Sequence, residues 1–90
     1  MFSLGRLSCF VAVAEELHFR RAAERLHISQ PPLSRTIREL ETRLGLTLFE
    51  RDTRTVKLTA AGDAAVKRAR RILADVEGFG KELAAWRDSR

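Results

Sequence analysis

Near the amino terminus, Leu4, Leu7, Val11, Ala14 and Leu17 recur at three- and four-residue steps, with Phe10 and Val13 widening the stripe. That spacing follows one face of an α-helix, so the pattern predicts an amphipathic first helix. Phe19, Ala22, Ala23 and Leu26 share a face and predict a short second helix. After His27-Ile28-Ser29-Gln30 come Pro31 and Pro32, which lack backbone donors but fit the first turn of a helix. A third helix is therefore expected to begin near Ser29 or Gln30, with either residue as its N-cap. Its apolar positions Leu33, Ile37, Leu40 and Leu44 step by 4, 3 and 4, and Gly45 is placed to end it.

The period then changes. Leu46, Leu48 and Glu50 alternate with Thr47, Phe49 and Arg51, Asp52-Thr53-Arg54 supplies turn residues, and Thr55-Val56-Lys57-Leu58 is a second β-like run. Such a hairpin is too small to stand alone and must pack on the helices. From Thr59, placed as an N-cap, the helical pattern returns. Ala65, Ala69, Ile72, Val76, Phe79, Leu83 and Trp86 advance alternately by 4 and 3, a heptad seam reaching the end of the chain. Gly78 and Gly80 weaken that helix locally, each by ~1 kcal/mol relative to Ala. The expected fold is mainly α: a winged helix-turn-helix over residues 1–58, with three helices and a two-stranded wing, then a long dimerisation linker helix over residues 59–90.

Ninety residues make one domain with a modest core, so an apolar seam on a helix that leaves the core calls for a partner. At 44% hydrophobic and 32% charged residues, the chain is globular rather than disordered. Seventeen Lys+Arg against 12 Asp+Glu give a formal charge of +5, the electrostatic footprint of a nucleic-acid binder. The single Cys9 excludes an internal disulfide and a multi-cysteine zinc site, and its apolar neighbours suggest a buried structural thiol. No apolar run approaches the ~18–20 residues of a membrane span, and the N-terminal stretch lacks signal-peptide character, so a cytoplasmic location is expected. An enzyme is not expected. The sequence holds no His-Glu-x-x-His, no phosphate-cradling glycine loop and no nucleophile–base pair, while His18 and His27 stand apart. No metal or cofactor is expected either.

Projected at about 100° per residue, the third helix gathers Leu33, Ile37, Leu40 and Leu44 on one side. Pro31, Arg35, Arg38 and Thr42 lie opposite, flanked by Ser34 and Glu39. A recognition helix enters the major groove with its first turns, where free backbone amides and the helix dipole favour phosphate. Gln30 suits a bidentate pair with adenine and Arg35 one with guanine, Ser34 suits a base or phosphate, and Pro31 and Pro32 suit a thymine methyl. Arg38, near Glu41 and Thr42, reads equally as a contact or as a solvated arginine. At the hairpin tip Arg54 lies between two threonines, placed to enter a narrow minor groove. Arg51 is a DNA candidate or a surface partner of Glu50 or Asp52. Thr59 is a cap or a phosphate ligand.

The runs Phe10-Val11-Ala12-Val13-Ala14-Glu15-Glu16, Arg21-Ala22-Ala23-Glu24-Arg25-Leu26 and Ser29-Gln30-Pro31-Pro32-Leu33-Ser34-Arg35 resemble the DNA-binding domain of LysR-type transcriptional regulators. So do Ile37, Leu40-Glu41, Leu44-Gly45, Leu48-Phe49-Glu50-Arg51 and Leu58-Thr59-Ala60-Ala61-Gly62, and the likeness covers almost the whole chain. The resemblance implies a dimer reading an inverted repeat of double-stranded DNA. It carries DNA contact onto Gln30, Pro31, Pro32, Ser34, Arg35 and Arg54, and it makes the last helix a linker that pairs antiparallel between two subunits. Where the family often has Ser then Thr, this chain has His18 and Arg20, so a guanidinium there takes the place of a phosphate-binding hydroxyl. The family continues into an effector-sensing domain, expected beyond Arg90, through which alone a small molecule would act. The alternative is a protein-interaction module with the winged helix as scaffold. That reading requires apolar anchors on the outward face of the third helix, where Ser34, Arg35 and Arg38 stand instead.

Overall fold

A computed structural model describes residues 2–89. Ser3 caps α1 (Leu4–Glu16), its hydroxyl oxygen accepting the Arg6 N–H at 3.1 Å. The helix buries Phe10 through Ala14 and ends at Leu17, which takes the left-handed conformation at φ 50°. α2 (Phe19–Leu26) is capped by His18, whose Nδ1 accepts the Arg21 N–H at 3.1 Å. An imidazole thus satisfies the helix start that a hydroxyl would otherwise serve. His27, also left-handed at φ 58°, closes α2.

α3 (Gln30–Leu44) has Ser29 as its N-cap, yet the Ser29 side chain makes no capping hydrogen bond. The reason is chemical. A capping hydroxyl accepts from the second or third helical N–H, and those positions are Pro31 and Pro32. Gly45, at φ 66°, ends the helix as its sequence position predicts. Leu33, Ile37 and Leu40 are buried, whereas Leu44 at the last turn stays partly exposed.

The wing is shorter than the alternation suggests. β1 (Phe49–Arg51) pairs antiparallel with β2 (Val56–Leu58), in the register Phe49 to Leu58, Glu50 to Lys57 and Arg51 to Val56. Leu46 is exposed, while Leu48 and Phe49 are both buried despite being adjacent. Leu48 lies outside the ladder: its N–H donates to the Glu41 carboxylate at 2.8 Å and its carbonyl accepts the Thr59 N–H at 3.0 Å. With its backbone satisfied from elsewhere, its side chain turns inward like that of Phe49. Phe49 then packs edge-on against Phe10 and Phe19, at centroid distances of 5.6 and 6.2 Å.

α4 (Ala60–Asp88) begins at Thr59, whose hydroxyl oxygen accepts the Gly62 N–H at 3.0 Å. Gly62, Val66 and Ala69 are buried against the three-helix core, with Ala65 and Leu73 packed beside them. The core therefore does not stop at residue 58. The first turns of α4 belong to it, and the heptad reading needs correction there: Ala69 is 3% exposed and Ala65 is half-buried, both inside their own subunit. Beyond Leu73 the helix stands clear, giving the molecule its 55 Å long axis. Glu15 fastens this helix to the rest, accepting from Arg25 at 2.7 Å and from Arg70 at 2.9 Å. Hydrogen bonding from Arg25 first, and then from Arg70, holds the Glu15 carboxyl below the ordinary glutamate range.

Candidate nucleic-acid interface

Because Leu33, Ile37 and Leu40 anchor α3 from beneath, its opposite face is fixed outward. Gln30, Pro31, Pro32, Arg35 and Arg38 are exposed there, and Ser34 is half-buried at the edge. Among the described residues, the side chain of neither Arg35 nor Arg38 makes a hydrogen bond or ion pair within the chain. Arg35 lies one turn beyond Gln30 and the prolines, so an amide, an apolar ridge and a guanidinium share the leading end of one exposed helix. Thr42 is committed elsewhere, its hydroxyl donating to the Arg38 carbonyl at 2.9 Å. The expected phosphate cradle of backbone amides is reduced, since the prolines remove two donors and leave the dipole and the Ser29 hydroxyl. That hydroxyl was not singled out from the sequence; the pair of prolines behind it was the available signal.

Asp52 builds the tip of the wing. Its Oδ1 accepts the backbone N–H groups of Arg54 and Thr55, each at 2.7 Å, and its Oδ2 accepts the Thr55 hydroxyl at 3.0 Å. These bonds, led by that from Arg54, hold the Asp52 carboxyl below the usual aspartate range. The turn fixes the Arg54 backbone and leaves its side chain exposed, with no ion pair among the described residues.

Arg51, a DNA candidate whose alternative partners in the sequence are Glu50 and Asp52, pairs with neither of those two carboxylates. Its Nη2 donates to Glu41 Oε1 at 3.0 Å, and its guanidinium lies 4.7 Å from the centre of the Phe19 ring. Glu41 Oε2 meanwhile accepts from Leu48 and Phe49 N–H. One carboxylate thus ties the end of α3 to the wing, and Arg51 is a brace whose charge is already engaged. Thr59 is likewise engaged: besides capping α4 it donates its hydroxyl hydrogen to the Thr47 carbonyl at 2.7 Å, leaving none for a phosphate. Arg20, in the first turn of α2, is exposed.

The model of the bacterial regulatory helix-turn-helix protein, lysR family, matches residues 4–63. The chain belongs to the LysR family. It is 51% identical over 81 residues to the transcriptional regulator AlsR of Bacillus subtilis (strain 168), covering 90% of this chain and 26% of AlsR. The chain thus spans about a quarter of the length of that curated relative. The crystal structure of a BenM_DBD/catB site 1 DNA complex superposes with a TM-score of 0.94 at 39% identity, over 99% of this chain and 100% of that one. The CbnR_DBD-DNA complex gives a TM-score of 0.87 at 44% identity, over 93% and 97% of the two chains. A LysR-type winged helix-turn-helix is a DNA-binding module of transcription regulation, and its relatives are regulators rather than enzymes. Among the described residues, no helix is long and apolar enough to cross a membrane.

Proposed function

We propose that this chain reads a specific double-stranded DNA sequence as the DNA-binding part of a bacterial LysR-type transcription regulator. One observation carries this reading: Gln30, Pro31, Pro32 and Arg35 stand together on the leading, outward face of α3, with the Arg35 guanidinium unclaimed by any described residue. Gln30 and Arg35 read base edges in the major groove, Ser34 takes a base or phosphate, and the prolines meet thymine methyls. Arg38, Arg20 and the Ser29 hydroxyl hold phosphates, while Arg54 enters the flanking minor groove.

Two copies act together on an inverted repeat, joined through Ile72, Val76, Phe79, Leu83 and Trp86 of α4, all exposed in the single chain. The regulator works in the cytoplasm, and small-molecule control belongs to the remaining length of its longer relatives, about three quarters, which this chain does not span. Selection of bound duplexes from a random pool tests the reading. The enriched sequences should form an inverted repeat with half-sites about 34 Å apart, one turn of the duplex. A pool that emerges without sequence preference overturns it.

A further inference from the structure

A groove of about 170 Å³ opens between α1, α3 and α4, lined among others by Phe2, Leu7, Leu44, Ala69 and Ile72, with Arg68 beside them. Ala69 and Ile72 are also heptad positions of α4, so the groove and the exposed stripe of that helix form one continuous apolar surface. At the far end of the stripe stands Trp86, 74% exposed.

We propose that this groove receives the Trp86 side chain of a second copy of this chain, an inference that rests on the pairing of α4 proposed above. The register follows from the heptad. In the antiparallel pair that the LysR-type resemblance implies, the positions shared by Ala69, Val76 and Leu83 meet those shared by Ile72, Phe79 and Trp86. Val76 then faces the partner's Phe79, Ile72 faces the partner's Leu83, and Ala69 faces the partner's Trp86. The two-fold axis passes between Glu77 and Gly78, and residues 69 and 86 each lie about 13 Å from it along the helix.

This register uses every exposed apolar residue of the seam. Shifting it by a heptad toward the helix end pairs Val76 with the partner's Trp86 and leaves Ile72 with no apolar seam residue to face among those described. Shifting it the other way leaves Trp86 opposite Gly62, which is already buried. At the Ala69 layer the alanine is sunk in its own core and cannot act as a knob, so the large indole needs a cavity, and the groove is that cavity. The Arg68 guanidinium can stack on the indole face.

The groove is also lined by Leu40 and Leu44 of α3. A seated indole therefore ties the end of one subunit's long helix to the back of the other's recognition helix. It sets the angle between the α4 pair and each recognition helix, and with it the half-site spacing.

Trp86 is the single tryptophan, so its fluorescence reports this contact alone. Dimeric protein, with its mass established by sedimentation, should show blue-shifted emission shielded from acrylamide. Leu44→Arg, which changes the groove but not the seam, should restore red-shifted, quenchable emission while the protein stays dimeric and helical. Independently of that variant, Arg68→Cys with Ser89→Cys in a Cys9→Ser background should cross-link two chains. Within one helix those positions are about 31 Å apart, so only two copies can join them. A dimer with quenchable Trp86 overturns the groove and leaves the α4 pairing intact, shielding without the cross-link overturns the register, and a monomer overturns both.

Discussion

The arginines of α3 and the wing are chemically alike, and their neighbours divide them. Arg35 and Arg54 keep exposed guanidinium groups that no described residue engages, whereas Arg51 is held by Glu41 and lies over Phe19. Replacing Arg35 by Ala should cost ~1–3 kcal/mol of binding and relax preference at one base pair. Titration of the mutant against cognate and scrambled duplexes checks this, and unchanged affinity for both would remove Arg35 from the reading set. Asp52 yields a pH prediction. Its carboxyl is depressed by the N–H groups it accepts, so its contribution is present above the ordinary aspartate value of 3.8 and is lost as pH falls through the lower folded value. On such acidification the Arg54 and Thr55 amides should lose exchange protection before those of α3, as followed by hydrogen exchange.

Between elements, two contacts decide the geometry. Glu41 joins α3 to the wing through the N–H groups of Leu48 and Phe49, which fixes where the wing starts relative to the recognition helix. Gly62 allows α4 to start against the wing, because a methyl there would overlap the Leu48 carbonyl oxygen and crowd the Leu58 side chain. Backbone cannot yield as a flexible side chain does. Gly62→Ala should therefore destabilise the domain by ~1–3 kcal/mol, measured by urea unfolding, and should weaken the Thr59 cap that depends on the Gly62 N–H. A stability equal to that of the unmodified protein would show that α4 can shift without cost.

On the scale of the whole molecule, α4 serves two masters along one length. Its first turns complete the core through Val66 and Ala69, and from Ile72 it presents an apolar stripe on which Phe79 is 63% exposed. A charge in the middle of that stripe should not disturb the winged helix. Val76→Asp is therefore expected to give a folded monomer with much weaker DNA binding, as read by sedimentation and titration, and wild-type protein that stays monomeric at high micromolar concentration would refute the pairing. The basic surface adds a salt test. The logarithm of affinity should fall by about 0.9 per neutralised phosphate for each decade of salt. A flat salt response would be incompatible with phosphate contacts from Arg20 and Arg38.

Local rules were enough for the helices, the hairpin and the outward face of α3. Three- and four-residue spacing, a proline pair and Gly45 each act within a few residues of themselves, so the one-dimensional pattern contains them. Arg35 was legible for the same reason, since a helix with buried Leu33 and Ile37 leaves that side chain no inward choice. Other assignments depended on which distant residues meet. Leu48 turns inward because Glu41 and Thr59 satisfy its backbone, and Arg51 becomes a brace because Glu41 lies within its reach rather than Glu50 or Asp52. Ala69 fits a heptad seam as well as a core, and only the packing of α4 on its own subunit assigned it to the core. Periodicity specifies the face a residue occupies, but the element that covers that face is decided in three dimensions.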